Sequence, residues 1–348
     1  MGGGGAERVV AELSNEFVKQ GNNVSVVITK ESICAYNLDA AVKFEDISNT
    51  TNGFFSRILA IRKFVRRQNF DVIISFLDKN NIENILANIG NNIPLIISER
   101  NNPYIYPNKN HFRFLRMLTY DYADGYVFQT TDARDYFNKS IRDRSIVIMN
   151  PIKANLPQVH NGERQKKIVN VGRLVKQKNQ KLFIDAFCKF SETHPEYIAE
   201  IYGEGPLKKQ LLNYISDKGM SEKIILKGFS NDVINDIKLA SMFVMTSDYE
   251  GMSNALIKAV GMGIPSISTD SPIGGARMTI IDGQSGFLVP VNEMDEIAKK
   301  MELIADDNEL SKRLSVNGCL LRKTLSADTI ARKWLEYINR IYILKMKH

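Results

Sequence analysis

Cysteine, histidine and tryptophan are scarce in this chain of 348 residues, which contains 3 Cys, 4 His and 1 Trp. Cys34, Cys188 and Cys319 stand far apart, are odd in number and lack the CxxC spacing of a metal or redox site. We interpret them as small buried side chains in a reducing compartment. The histidines show no HxxxH pairing either, so the sequence argues against a structural metal site.

Long apolar runs are also missing. None approaches the roughly 18 to 20 residues of a membrane-spanning helix. The start of the chain is a glycine run followed by an amphipathic helical pattern, which is not the pattern of a signal peptide. We therefore expect a cytoplasmic protein.

The charge excess is modest, at +7 for the whole chain, and both halves share it. Such a balance weakly favours an anionic partner. No basic stripe with interleaved aromatic residues is present, so no nucleic-acid partner is expected. The 44% hydrophobic and 24% charged contents are typical of a soluble globular protein, and the length suggests about two domains.

Short apolar runs alternate with helical patterns along almost the whole chain. The runs are continuous, which is typical of parallel strands buried on both faces. A polar stretch over Ala154–Arg164 separates two such series. We predict an α/β fold with two Rossmann-like domains facing across a cleft, over residues 1–150 and 151–330. An amphipathic helix over residues 331–348 is expected to pack back toward the first domain.

The glycine run Gly2–Gly5 leads directly into the first helix pattern. In a Rossmann unit such a loop follows the central first strand, yet no strand pattern precedes it here. We therefore expect that the first N-terminal strand is missing, and that the chain is truncated or natively begins roughly ten residues earlier. Alternatively, Val24–Ile28 is the first strand and the glycines are a flexible start.

The stretch from Thr246 to Ile267 predicts the end of a strand, a tight glycine turn, an amphipathic helix and the next strand. Glu250 and Gly251 stand at the turn, and the helical pattern covers Asn254–Val260. Backbone N–H groups at a helix N-terminus favour anions. A ligand with both hydroxyl and phosphate groups fits this combination of a carboxylate and a helix start.

Two further loops follow predicted strands. Gly172 and Arg173, with Lys178 five residues on, place two cations where they could hold a diphosphate; the alternative is a solvated basic loop. Gly203 and Gly205 in the sequence YGEGP permit close approach of the backbone to a ligand, and the alternative is a tight turn.

Taken together, the motifs resemble those of the retaining glycosyltransferases of family 4, which have the GT-B fold. The similarity extends over nearly the whole chain. It rests on GGGGAERV at the start, NVGRLVKQKN at 170–179, IYGEGPLKKQL at 201–211, LKGF at 226–229, SDYEGMSNALIKAVGMGIPSI at 247–267 and DGQSGFLVP at 282–290.

The resemblance implies a role for each matching residue. Arg173 and Lys178 would hold the donor diphosphate, and Glu250 would accept hydrogen bonds from the donor sugar. Further donor-binding positions would be Gly3, Gly4, Gly5, Gly172, Gly203, Gly205, Gly228, Phe229, Gly251, Met252, Ser253 and Lys258. Among these, Gly228 and Phe229 would lie near the base.

The chemistry implied by the family is front-face transfer with retention, in which the leaving phosphate helps to deprotonate the acceptor hydroxyl. No cofactor and no metal ion are expected, since basic side chains and helix dipoles would take the metal's role. The strand Leu95–Ile97 is followed by Glu99 and Arg100, which are candidate catalytic residues; an ion-paired surface turn is the alternative.

One position departs from the family pattern. Relatives usually carry a second glutamate eight residues after the first, where it holds the nucleotide ribose, and Lys258 stands there in this chain. An ammonium group cannot accept hydrogen bonds from a diol. We expect reduced donor affinity at this position.

Basic residues cluster in the helical pattern near residue 60: Arg57, Arg62, Lys63, Arg66 and Arg67. This helix face could be solvated and packed on its own sheet, or could touch an anionic membrane surface. A lipid-linked acceptor would suit the second interpretation.

Our main hypothesis is a retaining transferase that moves a sugar from a nucleotide donor to a glycan or lipid-linked glycan in cell-surface polysaccharide biosynthesis, with UDP as the expected nucleotide. An inactive or truncated binding module is the alternative, with a UDP-sugar epimerase of the same fold as a lesser one. An NAD-dependent oxidoreductase is disfavoured, because no GxGxxG follows a first strand.

Overall fold

The computed structural model describes residues 5–29, 36–48, 53–152, 156–160 and 162–347. Gly3, Gly4 and Cys34 lie outside these ranges. The chain divides into two compact units. Unit 1 comprises Met1–Pro151 and Leu325–His348, and unit 2 comprises Ile152–Thr324.

The N-terminal segment of unit 1 alternates helices with strands. Its elements are α1 (Gly5–Lys19), β1 (Ser25–Ile28), β2 (Lys43–Asp46), α2 (Phe54–Arg66), β3 (Ile73–Phe76), α3 (Asp78–Asn88), β4 (Leu95–Glu99), α4 (Asn110–Thr119), a 3-10 turn (Tyr120–Tyr122), β5 (Gly125–Phe128), α5 (Thr131–Asp135), α6 (Lys139–Asp143) and β6 (Ser145–Val147).

The described strands of unit 1 form two parallel sheets. One pairs β1 with β2, and the other has the order β3-β4-β5-β6. Helix α1 packs through one face, because Val9, Leu13 and Phe17 recur every four residues and are buried. Burial of its Ala11 against Val26 anchors α1 to β1.

Unit 2 repeats the alternation. Its elements are β7 (Gln165–Val171), a 3-10 turn (Lys176–Lys178), α7 (Gln180–Thr193), β8 (Ile198–Tyr202), α8 (Lys208–Asp217), β9 (Ile224–Gly228), α9 (Val233–Ile237), β10 (Ala240–Met245), α10 (Asn254–Gly261), β11 (Ser266–Thr269), α11 (Gly275–Thr279), β12 (Phe287–Val289), α12 (Met294–Asp306), α13 (Asn308–Cys319) and α14 (Leu321–Thr324).

One parallel sheet holds the strands described in unit 2, in the order β12-β11-β10-β7-β8-β9. Helices cover both of its faces: Ile168 of β7 is buried with Phe183 of α7, whereas the next residue, Val169, is buried with Leu256 of α10. Neighbouring strand residues therefore enter opposite cores, which explains the continuous apolar runs. The chain order reverses between β7 and β10, which makes the sheet doubly wound.

The C-terminal helix α15 (Ala327–Met346) belongs to unit 1. The Tyr337 hydroxyl accepts a hydrogen bond from the Tyr126 N–H at 2.7 Å and donates one to the Arg144 carbonyl at 2.5 Å. Trp334 of the same helix is fully buried beside Phe76, with ring centroids 5.8 Å apart. Unit 2 ends at Thr324, earlier than the boundary at residue 330 drawn from the sequence, because this helix starts before that boundary.

One loop is longer than the sequence predicts. A tight turn is expected at Glu250, but β10 ends at Met245 and residues 246–253 form a longer loop before α10. In the part of the chain that the structure describes, no helix combines the length and apolarity of a membrane span.

Candidate functional site

The doubly wound sheet of unit 2 brings the motif residues to one edge. All of its strands are parallel, so the loops after β7, β8, β9, β10 and β11 leave from the same carboxyl edge. Ligands of doubly wound sheets bind at this edge, where the strand order reverses. The reversal lies between β7 and β10, and therefore between the Lys178 loop and the Glu250 loop.

Hydrogen bonds fasten these two loops to each other. The Gln177 carbonyl accepts from the Asp248 N–H at 2.9 Å, and the Gln177 side chain donates to the Tyr249 carbonyl at 2.9 Å. The Asn179 amide donates to an Asp248 carboxylate oxygen at 2.7 Å. These contacts fix the backbone on both sides of Lys178 and before Glu250.

Lys178 and Glu250 form an ion pair at the junction of the two loops. Only 17% of the lysine side chain and 14% of the glutamate side chain are exposed. Because both side chains are largely shielded from water, their charges are screened less than those of an exposed pair. The structure thus places a cation and a hydrogen-bond acceptor side by side at the point where the sheet reverses.

Arg173 and Phe229 are exposed at the same edge. Arg173 follows β7, and its guanidinium has no hydrogen bond or ion pair with any residue within the described ranges. Phe229 follows β9 with 72% of its surface exposed. The Arg173 guanidinium is therefore available to bind an anion, and the Phe229 ring is available to contact a planar ring.

Gly203 and Gly205 are required by backbone packing. Gly203 has a φ of +142°, and a Cβ atom there would lie 1.9 Å from the Gly172 carbonyl oxygen. A Cβ atom on Gly205 would lie 2.4 Å from the Leu174 carbonyl oxygen. The Leu174 N–H also donates to the Glu204 carbonyl at 3.0 Å. The two loops interlock, which accounts for both glycines without a ligand.

The start of α10 presents backbone to the site. Met252 and Ser253 are buried, and the Ser253 hydroxyl caps the helix by accepting from the Leu256 N–H at 3.4 Å. Lys258 lies further along the helix and is half-buried.

The loop after β11 was missed in the sequence. A Cβ atom on Gly275 would lie 1.7 Å from the Gly251 carbonyl oxygen, so this loop supports the Glu250 loop directly. Ile273 and Gly274 both have positive φ, at 79° and 70°. The Gly274-Gly275 pair after a strand was the available signal.

Glu99 and Arg100 lie in unit 1, at the end of β4, and the interpretation as a surface turn is wrong. Their exposed fractions are 3% and 9%. Glu99 Oε2 accepts from the Tyr120 hydroxyl at 2.8 Å. Burial raises the pKa of Glu99 to about 7, and the nearby Asp78 carboxylate adds to the rise.

The Arg100 guanidinium is held by one hydrogen bond and by two rings. Nη1 donates to Asn150 Oδ1 at 2.8 Å, and the cation lies 4.9 Å from the Phe76 ring centroid and 5.7 Å from that of Trp334. Burial lowers the pKa of Arg100 to about 9. Nε and Nη2 have no hydrogen-bond partner among the described atoms, so these two nitrogens could donate to a ligand.

The last two observations concern Gly5 and the side chains that could bind a metal ion. Gly5 is the first residue of α1 and is exposed. Across the ranges that the structure describes, no three His, Cys, Asp or Glu residues are grouped as metal ligands.

Comparison with known proteins identifies the family. The model of the glycosyl transferases group 1 matches residues 152–319, and that of Glycosyltransferase Family 4 matches residues 3–156. The two matches together extend over nearly the whole chain. The chain belongs to the family 4 glycosyltransferases.

Relatives and solved structures agree with this assignment. From Campylobacter jejuni, GalNAc-alpha-(1->4)-GalNAc-alpha-(1->3)-diNAcBac-PP-undecaprenol alpha-1,4-N-acetyl-D-galactosaminyltransferase is 28% identical, with 98% of this chain and 96% of the relative covered. A second C. jejuni enzyme, N-acetylgalactosamine-N,N'-diacetylbacillosaminyl-diphospho-undecaprenol 4-alpha-N-acetylgalactosaminyltransferase, is 27% identical, with 97% of each covered. The structure of Anabaena HepE with UDP and glucose matches with a TM-score of 0.81 at 18% identity, covering 97% of this chain and 96% of HepE. The fold is therefore the predicted GT-B fold.

Proposed function

We propose that this protein is a retaining glycosyltransferase that moves a sugar from a UDP-linked donor to a lipid-linked glycan acceptor in bacterial glycan assembly. The names of the two C. jejuni relatives, which include diphospho-undecaprenol acceptors, support the acceptor class. The UDP bound to HepE supports the nucleotide. An N-acetylhexosamine is the sugar class that the relatives favour.

The observation that carries this proposal is the Lys178–Glu250 pair at the reversal point of the sheet. Arg173 is exposed on the same loop after β7 as Lys178. The donor diphosphate would bind Lys178 and Arg173, and a sugar hydroxyl would donate to Glu250. The bond from the sugar anomeric carbon to the phosphate oxygen breaks while the acceptor oxygen bonds the same face. The acceptor proton passes to the departing phosphate, and the two cations stabilise its charge.

The test is turnover of a panel of UDP- and GDP-sugars with an undecaprenyl diphosphate-linked acceptor. Lys178→Ala is compared with Lys176→Ala, because Lys176 belongs to the same 3-10 turn and is exposed. We expect Lys178→Ala to lower kcat by about 100-fold or more, and Lys176→Ala to change it little. Equal turnover in both variants would refute the assignment, and an inverted product anomer would refute retention.

Metal independence is part of the proposal. If the two cations and the α10 N-terminus neutralise the leaving diphosphate, EDTA should leave turnover unchanged. Loss of turnover in EDTA, restored by Mg²⁺ or Mn²⁺, would show that a metal ion performs this task.

Glu99 and Arg100 remain candidates on unit 1. Arg100 has unpartnered donors among the described atoms, and we propose that it binds a polar group of the acceptor. Arg100→Lys keeps the charge but loses the planar donor set. We expect a raised acceptor KM with an unchanged donor KM; the opposite pattern would assign Arg100 to the donor.

The basic cluster of α2 divides into two groups. Arg57 bonds Glu83 at 2.8 and 2.9 Å, and Arg62 donates to the Ala87 and Ile89 carbonyls at 3.2 and 2.7 Å. Arg66 similarly donates to the Asn91 side chain. These three arginines fasten α2 to α3 and to the residues that follow it.

The other two cations of the cluster lie near exposed apolar side chains. Lys63 and Arg67 are exposed, and Phe55 and Leu59 precede them at helical spacing with 77% and 66% exposure. We propose that this face touches an anionic membrane surface, with each cation contributing about 1 kcal/mol. Lys63→Ala/Arg67→Ala should weaken binding to phosphatidylglycerol vesicles roughly 10- to 30-fold. The control exchanges two exposed lysines of unit 2, Lys299 and Lys312, and equal binding by both variants would refute the proposal.

One observation favours a second candidate, a binding module without turnover. Lys258 occupies the position where relatives usually carry a glutamate, and a lysine there weakens a ribose contact. Binding of UDP without turnover of any donor, including in Lys258→Glu, would support that candidate.

A further inference from the structure

The loop between β4 and α4, over residues 100–109, has a composition that suits recognition of a ligand. Its sequence is RNNPYIYPNK, and Tyr104 and Tyr106 are both exposed. Tyrosine provides a rigid, amphipathic contact surface at low cost in conformational entropy, and asparagine provides adaptable hydrogen bonds. The loop starts at Arg100, so this surface begins directly beside a candidate acceptor-binding residue.

Two arginines of α4 hold the backbone of this loop. Arg113 and Arg116 together donate to five of its carbonyl groups, those of Pro103, Tyr104, Ile105, Tyr106 and Pro107. The donor–acceptor distances run from 2.6 to 3.1 Å. Arg116 is buried, so the loss of these bonds would leave a cation without partners. The tyrosine side chains therefore project from a fixed backbone, which lowers the entropy that a ligand must overcome on binding.

The Tyr104 ring packs against the ring of Tyr136, the residue after α5. The ring centroids are 4.7 Å apart, and the ring planes meet at 80°. Arg116 fixes Tyr136 as well, because Nη2 donates to the Tyr136 hydroxyl at 2.7 Å and the guanidinium lies 4.9 Å from the ring centroid. Both rings keep exposed surface, 59% for Tyr104 and 37% for Tyr136. We call this pair of rings the tyrosine platform.

A series of side-chain contacts connects the tyrosine platform to the candidate residues at the end of β4. The Phe137 ring centroid lies 5.0 Å from that of Tyr136 and 5.7 Å from that of Tyr120. The Tyr120 hydroxyl in turn donates to the Glu99 carboxylate. The platform is therefore part of the same packed cluster as Glu99, within unit 1.

The side chains around the platform are mostly neutral. Residues 100–109 include no carboxylate, and the amides of Asn101 and Asn108 make no hydrogen bond with other residues in the described ranges. An amide can both donate to and accept from a hydroxyl group. The face of an aromatic ring carries partial negative charge, which attracts the weakly positive hydrogens of a C–H bond. A ligand with one C–H face and a rim of hydroxyl groups fits this surface, and a pyranose ring has both.

We propose that the tyrosine platform binds a pyranose ring of the glycan acceptor by stacking, with the loop amides as partners for its hydroxyl groups. The inference rests on the proposed function, because it specifies how the acceptor of that reaction is held. It assigns Tyr104 and Tyr136 to the sugar, whereas Arg100 binds a polar group of the same acceptor.

The first test measures sugar binding without transfer, by saturation-transfer NMR on the full chain. The probes are the methyl α-glycosides of N-acetylgalactosamine, N-acetylglucosamine, galactose and glucose. Tyr104→Ala should weaken binding of the preferred glycoside about fivefold or more, and Tyr104→Phe should change it little because the ring remains. The matched control is Tyr122→Ala, which removes a tyrosine of the same unit that is 68% exposed and lies in the 3-10 turn after α4. Tyr122→Ala should leave binding unchanged.

Transfer kinetics give a second readout. Tyr104→Ala should raise the acceptor KM about fivefold and leave the donor KM and kcat near their wild-type values. Partial unfolding would instead lower kcat, so this pattern separates the platform from a structural role. If no donor is turned over, the proposed function fails, and saturation transfer alone decides whether the platform binds a sugar.

The proposal is overturned if Tyr104→Ala and Tyr122→Ala bind the glycosides equally. It is also overturned if the wild type binds none of them and no difference in acceptor KM separates the two variants. A third contrary result is weaker binding of Tyr104→Ala to phosphatidylglycerol vesicles with unchanged glycoside binding, which would assign the platform to a lipid surface.

Discussion

The buried carboxyl of Glu99 should make the stability of unit 1 depend on pH. Its pKa is about 7 in the folded protein, against 4.5 for an unperturbed glutamate. One pKa unit corresponds to about 1.36 kcal/mol, so the shift is equivalent to about 3 kcal/mol. Burial disfavours the ionised form, because its charge loses solvation by water.

The sign follows from proton binding. Between pH 4.5 and 7 the folded state holds the Glu99 proton more tightly than the unfolded state. The free energy of unfolding therefore falls as pH rises through this window, and the stability from the protonated carboxyl is lost above pH 7. Glu99→Gln is neutral at every pH and retains an oxygen that can accept from Tyr120.

The assay is urea unfolding from pH 5 to pH 7.5, followed by tryptophan fluorescence. Trp334 is the single tryptophan of the chain and is buried in unit 1, so its emission reports the unit that contains Glu99. Because the range starts above pH 4.5, we expect the wild type to lose about 2 kcal/mol of this relative to Glu99→Gln between pH 5 and pH 7.5. As a control, the exposed Glu309→Gln should show the same dependence of unfolding free energy on pH as the wild type. If Glu99→Gln also showed the wild-type dependence, the burial argument would be refuted.

Three further changes have defined outcomes. Gly203→Ala should lower the free energy of unfolding by about 3 kcal/mol or more, because its Cβ would lie 1.9 Å from a carbonyl oxygen. The control is Gly219→Ala, where the space is open and the loss should be only about 1 kcal/mol. Similar melting temperatures for the two variants would contradict this prediction. Tyr337→Phe should lower the free energy of unfolding, measured in urea, by about 1–3 kcal/mol, because it leaves the Tyr126 N–H without its acceptor. An unchanged urea midpoint would mean that another acceptor replaces the hydroxyl. Lys258→Glu should lower the Kd for UDP about tenfold by calorimetry, whereas Lys258→Gln should change it less, and equal affinities would exclude a ribose contact there.

Much of the architecture could be predicted from the sequence because buried parallel strands leave continuous apolar runs. Leu95–Ile97 is such a run, and the observed strand β4 covers it and continues to Glu99. The strand β2 (Lys43–Asp46) could not be found this way, because most of its residues are exposed and three of the four are charged. Pairing with β1 determines that strand, and pairing partners are invisible in a local pattern.

The candidate site was predictable in its residue types and less so in its construction. Lys178 and Glu250 were singled out from separate loops, but their direct contact depends on the register of β7 against β10. The burial of Arg100 against Trp334, a residue far along the chain, leaves no local signal. Long-range packing therefore determines the Lys178–Glu250 contact and the burial of Arg100, which the motifs alone do not predict.

The return of α15 to unit 1 has a consequence for synthesis on the ribosome. Unit 2 is one continuous segment, Ile152–Thr324, whereas unit 1 needs Leu325–His348 to complete its packing. The first 151 residues emerge early but must wait for Trp334 and Tyr337. Until α15 is synthesised, the nascent N-terminal unit cannot complete its packing and exposes apolar surface.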